Sequence, residues 1–213
     1  MNNRLFLKPF GPSIAKVSMG KDLIKKLNAY VDSTIKNSNK TKELNHGPKL
    51  AGNVQQEFKL EIDFIKSSGW LDFLGTEAQK WIKSESGRTI TTFDLIDSWI
   101  VRQFENDYNP LHVHGGHISG VGYLKVPSSY GEYTQDGKKV NQNGKLCLVH
   151  GTRQFMADST YNIEPKVGDF YFFPNYLMHL VYPFVCPNEE RRSISFNAYI
   201  DQDIYNVYGG SKK

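Results

Sequence analysis

Apolar positions follow two periods along the chain. In residues 18–37, Leu23, Leu27, Val31 and Ile35 recur every four residues, with Ile24 and Tyr30 beside them and Lys and Asn on the other face. That spacing predicts a helix with one buried stripe, and Ser18 is placed to cap its start. Residues 37–49 are polar and read as a loop. A second stripe, Trp70, Leu71, Phe73, Leu74, Ala78, Trp81 and Ile82, predicts a helix over about 70–83. From about residue 90 the period changes. Positions 95–103 alternate as in a largely buried strand, and short apolar runs follow at Ile118–Val126, Lys145–His150, Phe170–Phe173, Leu180–Val185 and Ser193–Ile200. Residues 128–144 form a polar, hairpin-like excursion with turn signals at Asp136-Gly137 and Asn143-Gly144. Pro174 ends the strand before it.

Six or more short strands after two helices predict a mainly β chain: a double-stranded β-helix (jelly roll, cupin-like) with N-terminal helices. At 213 residues the chain fits one domain spanning 1–213. Residues 1–90 are expected as mostly helical support and 91–205 as the jelly-roll core. The 13 Phe, 12 Tyr and 3 Trp agree with strands rather than a helix bundle.

Charge and cysteine usage narrow the function class. The net charge of +4 is spread over scattered lysines, including Lys8 and the Ser-Lys-Lys tail, with no arginine stripe interleaved with aromatics. Nucleic acid is therefore not expected as a partner. No apolar run has the length of a membrane span or of a signal peptide, so neither a membrane partner nor export is expected. Two cysteines, Cys147 and Cys186, are too few for a disulfide scaffold and read as thiols in a reducing cytoplasm.

The candidate chemistry lies in the second half, which holds five of the six histidines. His112 and His114 flank one residue after Asn109-Pro110, and on an extended strand end i and i+2 point the same way. His179 follows the Phe170–Pro174 strand by a short turn and is a candidate third ligand. Each of these alone has a plain alternative in ring packing or a satisfied core position. Asp107 and Asp169 are poorly placed to ligate. His117 competes with His114, because the glycines at 115 and 116 can break the strand register. In Arg191-Arg192-Ser193-Ile194-Ser195-Phe196-Asn197, alternation puts Arg191, Ser193 and Ser195 on one face and Arg192, Ile194 and Phe196 on the other. A guanidinium fork with a hydroxyl suits a carboxylate. The preceding Glu189-Glu190 offers a structural alternative for the arginines.

These motifs in order, His-x-His, Ser-Gly-Val-x-Tyr-Leu, Gly-Asp-x-x-x-Phe-Pro-x-x-x-x-His and Arg-x-Ser-Ile-Ser-Phe-Asn, resemble the iron(II)/2-oxoglutarate-dependent oxygenases. The likeness is to the prolyl-hydroxylase-like branch, in a group common in marine bacteria and their phages, and covers about residues 95–200. It implies that His112, His114 and His179 ligate Fe(II), and that Arg191, Ser193 and Tyr123 bind the distal carboxylate of 2-oxoglutarate. With O2, such an enzyme hydroxylates a small-molecule or peptide substrate, by analogy an amino acid or prolyl residue, releasing succinate and CO2. The chain departs from the usual triad of two histidines and a carboxylate, because His114 stands in the carboxylate's place. Two other classes stay open: a cupin-like protein that binds a metal or small anion without turnover, and a three-histidine dioxygenase that needs no 2-oxoglutarate. Residues 128–144 are a candidate lid, with Tyr130 and Tyr133 able to meet substrate or to be solvated turn residues.

Overall fold

A computed structural model describes residues 11–132, 135 and 137–206. Lys8, Tyr133, Asp136 and the Ser-Lys-Lys tail fall outside the described residues. In chain order the elements begin with β1 (Ala15–Ser18), α1 (Lys21–Ile35), α2 (Ser38–Glu43) and β2 (Gln56–Lys59). Helices α3 (Ile62–Ser68) and α4 (Trp70–Ser86) follow. The second half holds β3 (Phe93–Gln103), β4 (Asn109–His112), β5 (Ile118–Lys125), β6 (Leu146–Val149), β7 (Thr160–Ile163), β8 (Asp169–Pro174), β9 (Met178–Val181) and β10 (Arg191–Ile200), before the short α5 (Gln202–Tyr205).

Two antiparallel sheets result. The larger runs β1-β8-β5-β10-β3-β2 and the smaller β4-β9-β6-β7. This interleaved order is the double-stranded β-helix expected from the strand pattern. Alternation on the large sheet separates two cores. Phe170, Phe172, Ile194, Phe196 and Ala198 face the helices and pack with Leu27, Trp70, Leu74 and Ala78. Tyr123, Tyr171 and Phe173 face the small sheet and pack with Leu146, Leu148, Ile163 and Val181. Burying each large apolar side chain contributes roughly 1.5–3 kcal/mol. The glycines of β5 belong to the helix-facing side. A Cβ on Gly122 would lie 2.3 Å from the Phe170 ring, so the ring takes the space that a side chain would need.

The N-terminal region departs from its sequence reading. Ser18 does not cap α1; it ends β1, where it pairs with Asp169 of β8, and Gly20 takes the N-cap position without a side-chain bond. Strand pairing has claimed the residue that local propensity assigns to the cap. The polar stretch 37–49 contains α2, whose start is capped by the Asn37 side chain accepting from the backbone N–H groups of Asn39 and Lys40. The second predicted helix is α4, and a further helix that the spacing does not predict, α3, precedes it, the two divided at Gly69 in the left-handed conformation with φ 90°. Residues 1–90 therefore supply two strands of the large sheet as well as helices.

Candidate functional site

Strands β4 and β9 pair so that His112 and His179 are cross-strand partners. His114 lies just past the end of β4. The turn carrying Asn175 fixes it: the His114 N–H donates to the Asn175 carbonyl at 3.0 Å and the Asn175 carboxamide donates back at 3.2 Å. One ligating atom from each of His112, His114 and His179 falls within 4.8 Å of the others. The Nε2 atoms of His114 and His179 are 3.1 Å apart. Nδ1 of His112 lies 2.7 Å from the Pro110 carbonyl and Nδ1 of His179 lies 2.8 Å from the Leu177 carbonyl. A carbonyl only accepts, so each Nδ1 carries the proton and each Nε2 keeps its lone pair.

Burial lowers the pKa of all three imidazoles. Burial is the main cause for His114, held at about 3, with the neighbouring rings adding to it, and for His179, held at about 4. His112 is lowered for the same reason. The cluster is neutral near pH 7, which is the state that binds a metal. His117 is elsewhere. It is buried, its ring stacks on Tyr205 at 3.9 Å, and its Nδ1 accepts from the Ile200 N–H.

The histidines open on a cavity of about 170 Å³ also lined by Arg191, Ser193, Ser195, Trp99, Val101, Phe173, Leu146, Asn109 and Glu57. Arg191 is 1% exposed. Its guanidinium lies 5.4 Å from the centre of the Tyr123 ring and donates to the Gly144 carbonyl at 3.0 Å. Its Nε has no partner, nor has the Tyr123 hydroxyl, and no described carboxylate pairs with it. Burial pushes the Tyr123 phenol upward, so it stays a neutral donor. Tyr130, on the polar excursion, is half-buried and donates to the Pro165 carbonyl at 3.3 Å, so it is a packed residue and not a solvated one. Arg192 faces the opposite side. It binds Glu190 through Nε at 2.8 Å and Nη2 at 3.0 Å, Asn28 through Nη1 at 2.9 Å, and Asp32 at 2.9 Å.

The structure thus brings together His112, His114, His179, Arg191 and Ser193 around one cavity, with Tyr123 against Arg191. Trp99, Asn109 and Glu57 also line it and were missed from sequence. Trp99 stands in an alternating strand, where it is indistinguishable from core. Glu57 sits in a four-residue strand whose register alone aims it inward.

A search of curated proteins returned no match. Residues 97–197, which hold every one of the predicted site residues, match the model of the family described as "Putative 2OG-Fe(II) oxygenase". Among solved structures, a Pseudomonas putida prolyl-4-hydroxylase aligns over 88% of this chain and 91% of its own, at 18% identity and TM-score 0.53. The viral collagen prolyl hydroxylase of Paramecium bursaria Chlorella virus-1, as a 2-oxoglutarate complex, aligns over 87% and 94% at 15% identity and TM-score 0.55. HygX of Streptomyces hygroscopicus, with nickel and 2-oxoglutarate bound, aligns over 88% and 83% at 10% identity and TM-score 0.57. At these identities the three show a shared fold. No helix among the described residues is long and apolar enough to cross a membrane. The segment 97–197, just under half of the chain, is thus similar to the iron(II)/2-oxoglutarate-dependent oxygenases, and the three-histidine cluster lies inside it.

Proposed function

We propose that His112, His114 and His179 hold the iron, and that Arg191, Tyr123 and Ser193 receive 2-oxoglutarate at its distal carboxylate. The observation that carries this reading is Arg191: a buried guanidinium with no acidic partner and an unsatisfied Nε, beside an unsatisfied buried tyrosine hydroxyl. A buried charge left unpaired is costly, so the arrangement is complementary to an anion supplied from outside. The donor set fits the metal as well. Three neutral imidazoles suit iron(II), and the Nδ1 bonds of His112 and His179 to carbonyls hold those two rings in position with Nε2 free to ligate.

When bound, iron(II) with 2-oxoglutarate and O2 supplies the oxidation of a C–H bond, with succinate and CO2 as co-products. The chain's residues bind, orient and exclude water. Arg191 and Tyr123 fix one end of the co-substrate, and Phe173 and Leu146 wall the cavity against solvent. We further infer a hydroxylase of amino acids or peptidyl residues, prolyl by analogy with the two prolyl hydroxylases of the same fold. It would work in the cytoplasm, where Cys147 and Cys186 stay as thiols. A three-histidine dioxygenase without 2-oxoglutarate is favoured by His114 but leaves Arg191 without an anion.

The test supplies Fe(II), 2-oxoglutarate and O2 and measures succinate. Wild type is expected to release succinate and to bind 2-oxoglutarate, with at least a 100-fold loss of kcat/KM for 2-oxoglutarate in Arg191→Ala, or ~2.7 kcal/mol. No binding by wild type, with Arg191→Ala behaving identically, would overturn the reading.

A further inference from the structure

Glu57, Val101, Ser193 and Tyr123 form one row across the large sheet: Glu57 pairs with Val101, Val101 with Ser193 and Ser193 with Tyr123. Strands lie about 4.8 Å apart, so Glu57 stands about 10 Å from Ser193 on the same face. The anion clamp takes one end of this row. Glu57 takes the other, with Lys49, Leu50 and Ala51 on the cavity rim beside it. Co-substrate held by Arg191 and reaching to the histidines leaves the Glu57 end for the molecule to be oxidised.

Glu57 is 4% exposed, and its Oε1 is fully buried without a hydrogen-bond partner. Among the described residues no lysine, arginine or histidine lies within ion-pair distance of it, and the nearby Lys49 is exposed. A second polar group converges on the same space. The Asn109 carboxamide oxygen accepts from Gln103 Nε2 at 2.9 Å. A Cβ built on Gly52 would fall 2.7 Å from Asn109 Nδ2 and 2.9 Å from Glu57 Oε1. Both atoms therefore lie together against Gly52, in the space that a side chain there would need. Burial pushes the Glu57 carboxyl up to about 7. A carboxylate stripped of water and without a partner is costly, and a cation that enters the cavity removes that cost.

We propose that Glu57, with Asn109 beside it, is the substrate-reading end of the cavity and selects a substrate carrying a protonated amine near the carbon to be oxidised. The proposal rests on the oxygenase reading and narrows it. An internal prolyl residue of a peptide has an uncharged amide nitrogen. A free amino acid, a simple amine or an N-terminal residue is cationic there. Glu57 lies outside the segment 97–197 that matches the family model, so the preference belongs to this chain's N-terminal part.

The experiment is calorimetric titration of nickel-loaded protein with L-proline, prolyl-glycinamide and n-butylamine, each against its N-acetylated form, with and without 2-oxoglutarate. At least one protonated amine is expected to bind wild type about tenfold or more tighter than its acetylated form, the strength of a hydrogen bond to a charged group. The ranking of the three separates a free amino acid from an N-terminal residue and from a simple amine. Glu57→Gln, which keeps shape and loses charge, is expected to cut the preference below about threefold, whereas Glu57→Asp keeps part of it. Acetylated forms that bind as well as the amines, no amine binding at all, or a preference that survives in Glu57→Gln would overturn the proposal. Failure of 2-oxoglutarate itself to bind would count against the oxygenase reading, and the titrations without 2-oxoglutarate would still decide for or against Glu57.

Discussion

Arg191 and Arg192 are consecutive residues of one strand with the same side chain, equally buried, and they do opposite things. Arg192 meets Glu190, Asp32 and Asn28 on the helix side of the sheet, where each of its three nitrogens has a partner inside the protein. Arg191 meets a carbonyl and an aromatic ring on the cavity side, with its Nε unused. The difference teaches how to tell a structural charge from a functional one. A buried arginine whose acid is supplied by the fold holds the fold together. A buried arginine whose acid is missing is held in place by the rest of the structure for a ligand.

The largest effect expected from this contrast is on stability. Arg192→Met leaves Glu190 buried without its strongest partner and is expected to cost about 3–5 kcal/mol in denaturant unfolding. Arg191→Met removes an unpaired charge and is expected to leave the unliganded protein as stable or more so. It should also abolish the stabilisation that 2-oxoglutarate gives wild type, about 2.7 kcal/mol at 100 times Kd. If Arg191→Met destabilises the unliganded protein as much as Arg192→Met, the distinction fails.

Tyr123→Phe comes next. Its hydroxyl has no partner within the protein, so thermal stability is expected to hold while KM for 2-oxoglutarate rises about tenfold. A fall in Tm with KM unchanged would make Tyr123 a core residue and nothing more.

The smallest effect is on acid sensitivity. Burial alone would raise the Glu190 carboxyl, but hydrogen bonds from Arg192 and Arg102 outweigh it and hold the carboxyl at about 2. A depressed folded-state pKa contributes stability that is present above the ordinary value of 4.5 and is lost as pH falls toward 2. Arg192→Met is expected to flatten the stability curve across that window, whereas Arg191→Met leaves its slope unchanged.

The sequence carried much of this. The inward set Arg191, Ser193 and Ser195 and the outward set Arg192, Ile194 and Phe196 follow from a two-residue period, and the structure separates them in that way. His112 and His179 become cross-strand partners. What could not be read locally was decided by distant partners. Strand β1 holds four residues, too few to show a period, and it is a strand because β8 pairs with it. Helix α2 buries nothing, so it leaves no apolar stripe and rests on the Asn37 cap. Glu57 in Gln-Glu-Phe-Lys carries no motif, and only the pairing of β2 with β3 turns it toward the cavity. His117, two glycines beyond His114, was resolved by its stacking against Tyr205, a contact across 88 residues of sequence that no spacing rule anticipates.

The two short N-terminal strands have a consequence for anyone trimming the chain to its matched segment. They lie at the two ends of the six-stranded sheet, β1 along β8 and β2 along β3. A fragment beginning near residue 91 would keep the whole anion clamp and the histidines and would still lack both flanking strands, leaving two bare backbone ladders with apolar faces. Such edges recruit one another between molecules. The shortest well-behaved piece of this protein is therefore set by its sheet margins, and the fragment is expected to elute as aggregate where the full chain does not.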